Sequence, residues 1–137
     1  MLARSFAIVL IALPTLAALP SATGRSNAQQ SPFGDVALIA SQTTYTGSCP
    51  AHLRFEGRVH VNVRPMAFEY HFERSDGAKG ATKTVHATRA RGEVYVVTDR
   101  WQLGAKGQHL QVWEKLIVTS GDAKVESNQA GAEVTCR

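Results

Sequence analysis

The stretch that decides the fold spans residues 52–63 and reads HLRFEGRVHVNV. Every second position, beginning with Leu53, is apolar or glycine, and the positions between them are polar or charged. An alternation with a period of two is typical of a β-strand that buries one face and exposes the other. The pattern therefore predicts a strand whose apolar face belongs to a hydrophobic core.

The same alternation continues on both sides of this stretch. It places Phe68, Tyr70 and Phe72 on one face of a second run, and the short connection at Arg64 and Pro65 predicts a hairpin between the two runs. Further runs bounded by glycine-rich or polar turns predict strands at 36–43, 82–88, 93–103, 109–118 and 132–136. About seven short strands predict an all-β fold, a single sandwich of the immunoglobulin or fibronectin type III kind.

The N-terminal residues carry the pattern of a secretory signal. An apolar run from 6 to 19 follows a basic residue, and small residues end at Ala28, with an earlier possible cleavage point after Ala22. The run is too short for the roughly 20 residues that span a bilayer. We expect a secreted or periplasmic protein with no transmembrane segment after cleavage, divided into a signal peptide at 1–28 and a mature domain at 29–137.

The charge of the chain argues against a nucleic-acid partner. The net charge of +4 is halved when the signal leaves, because Arg4 and Arg25 leave with it. The remaining Lys and Arg residues alternate with acidic residues along the chain, whereas nucleic-acid binding usually shows as a clustered basic stripe. We therefore predict that nucleic acid is not a partner.

The chain has two cysteines, Cys49 and Cys136. In an exported protein the oxidising compartment favours a disulfide over a free thiol or a metal site. Cys49 stands just before the strand of residues 52–63, and Cys136 stands at the end of the last predicted strand. These two strand ends meet at one pole of a sandwich of this kind, so we predict a Cys49–Cys136 bridge.

Several short motifs are spread from residue 41 to residue 136. They read YTGSCP at 45–50, FxG at 55–57, FERSDG at 72–77, WxLG at 101–104 and VTC at 134–136. In these motifs the chain resembles a group of small exported bacterial immunoglobulin-like domains, found alone or in tandem. The resemblance implies the sandwich fold and carries no catalytic residues. The group usually has a glycine-rich link between its second and third strands, and this chain departs from that pattern at 63–66.

Residues suited to catalysis are few. No serine stands in a GxSxG motif, and the predicted bridge consumes both cysteines. Asp76, Asp99 and Glu114 lie in separate turns or strands, and no pattern indicates that any two of them converge. We therefore predict that the protein is not an enzyme and needs no cofactor.

The sharpest metal candidate consists of Glu69, His71 and Glu73, which share the polar face of one predicted strand. Their spacing matches no histidine-based zinc signature. His60 would face away from them if its strand lay in the opposite sheet. A solvated, charged strand face is the preferred interpretation, and a metal-binding protein or metal-dependent enzyme stays an alternative.

Most aromatic residues fit inward strand positions, as a sandwich requires: Phe55, Phe68, Tyr70, Phe72 and Trp101. Trp113 differs, because burying Leu110 and Val112 turns it outward beside His109 and Gln111. The reverse choice would bury two polar side chains, at roughly 1–3 kcal/mol for each unsatisfied group. An outward tryptophan is either covered by a loop or part of a binding face. Trp113, with His109 and Gln111, is therefore the candidate contact site.

These observations favour an exported, non-catalytic binding or adhesion module of the cell envelope or extracellular space. Its partner would be a protein or another envelope component, and we expect a monomer. A second alternative, besides the metal protein, is an envelope accessory subunit that pairs by edge-strand addition. The exposed first or last strand would then be the docking edge.

Overall fold

The computed structural model describes residues 30–63, 65–88 and 93–137, and the predicted signal peptide lies outside them. The described residues form nine β-strands. Their bounds are β1 (Phe33–Ala40), β2 (Thr44–Gly47), β3 (Ala51–Val61), β4 (Met66–Arg74), β5 (Lys83–Ala87), β6 (Val94–Leu103), β7 (His109–Ser120), β8 (Ala123–Glu126) and β9 (Ala130–Cys136). The predicted number was about seven. The added strands, β2 and β8, have four residues each, too few to show a period of two.

The strands form two sheets that pack face to face. One sheet has three antiparallel strands in the order β1-β3-β6. The other has the order β2-β9-β7-β4-β5, and β8 pairs with the end of β7 beyond β9. This immunoglobulin-like, all-β sandwich with one disulfide confirms the predicted fold class.

The predicted hairpin between the first two runs is wrong. β3 lies in the three-stranded sheet and β4 lies in the other sheet, so the link between them crosses from one sheet to the other. Alternation shows that each strand buries one face, but it does not show which neighbour a strand pairs with. Because the strands belong to opposite sheets, His60 on β3 lies in a different sheet from His71 on β4.

The chain also changes sheets between β1 and β2. β1 pairs with β3, whereas β2 runs parallel to β9, from Thr44 opposite Glu133 to Gly47 opposite Cys136. β9 is therefore flanked by β2 and β7. The last strand is not a sheet edge, and that part of the predicted docking edge is wrong.

The disulfide joins Cys49, just before β3, to Cys136 at the end of β9, which confirms the predicted bridge. Their Cα atoms are 5.3 Å apart, within the usual range for bridged cysteines. Gly104 packs against the bridge with a φ of +88°, and a Cβ there would lie 2.6 Å from the sulfur of Cys136. Glycine is required at this position by both its backbone conformation and its contact.

The core fills the space between the sheets with the apolar faces of the alternating strands. Leu53, Phe55, Val59 and Val61 of β3 are all buried. Gly57 interrupts this inward row, because a Cβ there would lie 2.5 Å from the Leu116 side chain of the opposite sheet. The inward glycine gives a large side chain the room to interdigitate.

Candidate functional site

The predicted contact residues lie together on the outer face of β7. His109 and Gln111 are exposed and Trp113 is half-buried. Leu110 and Val112 point the other way and pack against the core. The predicted phase of this strand is therefore confirmed, and so is the predicted burial of Trp101, which is 7% exposed.

A shallow groove of about 560 Å³ runs beside the Trp113 indole. Trp113 pairs with Gly131 of β9, and a Cβ at Gly131 would meet only the carbonyl oxygen of Val112, at 3.6 Å. The missing side chain leaves the surface next to the indole open. The groove is lined by Thr43, Gln111, Val112, Trp113, Gln129, Gly131, Ala132 and Glu133.

The backbone around Trp113 is fixed by Ser75, at the start of the turn after β4. The Trp113 N–H donates to the Ser75 hydroxyl at 3.2 Å, and the Ser75 N–H donates to the Trp113 carbonyl at 2.9 Å. At the other end of this face, His109 lies 3.2 Å from Glu133 and 3.0 Å from the Thr135 hydroxyl. The outer surface around Trp113 is therefore formed by paired strands with fixed backbones, and not by a flexible loop.

The proposed metal ligands Glu69, His71 and Glu73 share the outer face of β4, as the alternation predicted, but the closest partner of Glu73 is a lysine. Glu73 lies 3.0 Å from the ammonium of Lys79, 3.7 Å from that of Lys115 and 3.4 Å from the imidazole of His71. In the described part of the chain, no three His, Cys, Asp or Glu side chains are grouped so that they could hold a metal ion. The ion pairs are those of a solvated charged face.

The structure also contains a cluster of charged residues that the sequence analysis did not predict. Arg74, at the end of β4, donates from Nε to Glu114 at 3.0 Å and from Nη2 to Asp99 at 2.7 Å. Its guanidinium carbon also lies 5.1 Å from the centre of the Trp101 ring. Asp99 and Glu114 therefore do converge, although no sequence pattern indicated it. The alternation of each strand could have shown that Arg74, Asp99 and Glu114 all occupy inward positions, although it could not show that they meet.

Burial dominates the chemistry of Glu114, whose side chain is 0% exposed. Burial and the negative charge of Asp99 raise the pKa of Glu114, Arg74 lowers it, and the net result is a pKa of about 7. Two carboxyls whose environments differ in this way are a common catalytic arrangement. Here the side chain of Glu114 is fully buried, so it does not lie on the surface where a substrate would first bind.

Side chains occupy part of both edges of the three-stranded sheet. Asn128 accepts a hydrogen bond from the Leu38 N–H at 3.0 Å and donates one to the Leu38 carbonyl at 2.9 Å. On the opposite edge, Arg74 donates to the carbonyl of Arg100 on β6 at 3.2 Å. A strand added at either edge would have to compete with these bonds. β1, which was predicted as a docking edge, therefore offers fewer free backbone groups to a partner strand.

The outer face of the three-stranded sheet carries exposed apolar side chains, but they do not form one patch. Ile39 on β1 is 53% exposed and Val96 on β6 is 57% exposed. Between them, β3 presents Glu56 and Arg58, which form an ion pair at 3.4 Å. This face is therefore a less continuous contact surface than the one around Trp113.

No protein-family model and no curated protein sequence matches the chain. Among solved structures, it is similar to the CARDB domain of the PF1109 protein from Pyrococcus furiosus, which was crystallised in complex with di-metal ions. The two chains are 17% identical, with a TM-score of 0.49, over 77% of this chain and 94% of that domain. A likeness at this level does not indicate what this chain binds. The described residues also contain no helix with the length and apolar character needed to cross a bilayer.

Proposed function

We propose that the protein is an exported, non-catalytic binding module whose contact face is the outer surface of β7 and β9 around Trp113. The observation that carries the proposal is the open groove beside a half-buried, outward tryptophan on a fixed backbone. Tryptophan is enriched among the residues that dominate binding energy at interfaces. The polar groups that line the groove supply the hydrogen bonds that orient a partner.

Several features support the remaining parts of this proposal. The pattern of residues 1–28 and the Cys49–Cys136 bridge are those of a protein that enters an oxidising compartment. The non-catalytic role is supported by the enclosure of Glu114 between the sheets. The partner is a protein or another component of the cell envelope, bound by a monomer of this chain.

The contact face can be tested by photo-crosslinking in the native host. A photoreactive amino acid in place of Gln111 should give a discrete adduct of higher mass, and adding Trp113→Ala should abolish it. The matched control places the same amino acid at Arg58, on the outer face of the other sheet, where no adduct is expected. Adducts from Arg58 alone, or an adduct at Gln111 that survives Trp113→Ala, would contradict the proposed face.

Export is tested separately by cell fractionation and mass spectrometry of the intact protein. We expect a mature chain that begins at Gln29, or at Thr23 if the earlier cleavage point is used, in the periplasmic or culture fraction. Recovery of the full-length chain from the cytoplasm, with both cysteines as free thiols, would overturn export.

A further inference from the structure

Arg74 joins the two sheets through two carboxyl groups. Glu114 lies opposite it in the β4–β7 ladder of the six-stranded sheet, and Asp99 stands on β6 of the three-stranded sheet. The guanidinium contacts both, at 3.0 Å and 2.7 Å. One cation thus faces two carboxyls at the junction of the sheets.

The charges of this cluster do not balance if both carboxyls are ionised. Glu114 is fully enclosed, and about three quarters of the Arg74 and Asp99 side chains are also covered, with exposures of 22% and 24%. The second carboxyl oxygen of Glu114, Oε2, is buried without a hydrogen-bond partner among the described residues. A buried carboxylate oxygen left without a donor is costly. A proton on that oxygen removes the charge and turns an unpaired acceptor into a donor.

We propose that the Asp99 and Glu114 carboxyls hold one proton between them up to about neutral pH, and that this proton, together with Arg74, holds the two sheets together. The negative charge of Asp99 raises the pKa of Glu114 beyond the effect of burial. Like-charged carboxyls that share a site bind a single proton for the same reason.

The other elements that pack on β7 leave the cluster electrostatically isolated. The inward positions of β1, β3, β8 and β9 carry apolar residues or glycine, and β9 faces Glu114 with Ala130. β4 contributes Arg74 and β6 contributes Asp99, while Glu73 and Lys115, the sequence neighbours of Arg74 and Glu114, point outward. The proton affinity of Glu114 is therefore set by Arg74, Asp99 and burial.

The lock weakens as the pH rises. The pKa of Glu114 is raised from 4.5 to about 7 in the folded state, so between these values the folded protein binds a proton that the unfolded chain has released. The stabilisation is complete below about pH 4.5 and is lost as the pH rises through about 7. Above that pH a second negative charge lies between the sheets, opposed by Arg74 alone.

The test compares the natural protein with Glu114→Gln, whose amide has the shape of the protonated carboxyl and cannot lose its proton. The stability of the natural protein to denaturant should fall between pH 5.5 and pH 8. Glu114→Gln should flatten that fall, and Glu56→Gln, an outward carboxyl on β3, should leave it unchanged. Any pH dependence that the three proteins share cancels in the comparison. Equal slopes in the natural and Glu114→Gln proteins would overturn the proposal.

A second measurement does not depend on any variant folding. A carbon-13 NMR titration of the natural protein follows the Glu114 carboxyl carbon directly, and its midpoint should lie near pH 7, well above the ordinary pKa of a glutamate of about 4.5. A Glu114 midpoint in the ordinary range of glutamate would show that the cluster holds no proton at neutral pH.

Discussion

Two successive rungs of the ladder between β4 and β7 carry oppositely charged pairs, but one pair faces water and the other faces the interior. Glu73 lies opposite Lys115 on the outer face, and Arg74 lies opposite Glu114 on the inner face. Both glutamates have a cation at 3.0 Å, since Lys79 lies that close to Glu73 and Arg74 that close to Glu114.

The outer rung belongs to a network that spreads over the sheet surface. Lys115 lies 2.8 Å from Glu126 and 3.7 Å from Glu73, and Lys124 adds a contact of 3.1 Å to Glu126. Ile117 is buried although its position on β7 is outward, and its cross-strand neighbours are His71 of β4 and Glu126 of β8.

The two rungs change the pKa of their glutamates in opposite directions. The hydrogen bond from Lys79 lowers the pKa of Glu73, whereas burial raises the pKa of Glu114 to about 7. A cation at the same distance gives opposite results because the Glu73 side chain is partly exposed, whereas the Glu114 side chain is fully buried and also faces Asp99. The direction of the pKa shift is therefore decided by burial and by the second carboxyl, and not by the presence of a cation.

The largest expected effect contrasts the two tryptophans, since Trp101 on β6 is buried in the core and Trp113 on β7 faces outward. Trp101→Ala should lower the free energy of unfolding by about 3–5 kcal/mol, because it leaves a cavity and removes the ring beside Arg74. Trp113→Ala should cost less than about 1 kcal/mol, because the indole faces outward. Denaturant melts of both variants measure the difference, and the reverse order would mean that the inward and outward faces are wrongly assigned.

The second-largest effect on stability is expected from removing Arg74, the cation of the inner rung. Arg74→Met should destabilise the protein by about 3 kcal/mol at pH 8, since it leaves two carboxyls facing each other without a counter-charge. The loss should shrink at pH 5, where Glu114 is protonated. Lys115→Met on the neighbouring, outward rung is the matched control and should change stability much less. If the two variants lost the same amount of stability, the inner and outer rungs would not differ in the way proposed.

Salt should separate the two clusters without any mutation. Hydrogen bonding to Lys115 lowers the pKa of Glu126 at the surface, and 1 M salt, with a screening length of about 3 Å, should return that pKa towards its ordinary value. The pKa of Glu114 should stay near 7, because its main cause is burial. NMR titrations in low and high salt follow both carboxyls in one sample. A large change at Glu114 would mean that solvent reaches the inner cluster.

The smallest expected effect concerns the outer network at low pH. A carboxyl with a lowered pKa adds stability above its unfolded pKa of about 4.5, and that stability is lost as the pH falls through the lower, folded value. Glu126→Gln should therefore lower the melting temperature slightly at pH 7 and not at pH 3. A deficit that persists at pH 3 would indicate that packing, and not charge, accounts for the role of Glu126.

Strand positions and facing could be predicted from the sequence because they follow from alternation within a single strand. The same parity also places Arg74, Asp99 and Glu114 inward, beside apolar residues of their own strands. Alternation does not show which strands pair or in what register, so it could not place the three residues at one junction of the sheets. The incorrect hairpin between β3 and β4 has the same cause.

The bridge and the phase of Trp113 could be predicted because each depended on a strong local constraint. Cys49 and Cys136 flank strand ends that this topology brings together, and burying His109 and Gln111 would have left polar groups unsatisfied. The groove beside Trp113 could not be predicted, since it depends on Gly131 lying opposite the indole across the β7–β9 ladder. Such cross-strand neighbours are defined only once the register is known.

The parallel pairing of β2 with β9 limits the order in which this domain can assemble. Thr44 pairs with Glu133, so nearly the whole described chain must be present before the ladder forms. Contacts that join such distant residues raise the contact order, and folding slows because the entropy of closing the loop is lost before the contacts form. A ribosome or channel that releases the N-terminal end first therefore delivers β1 and β3 ready to pair, while β2 waits for β9 to emerge.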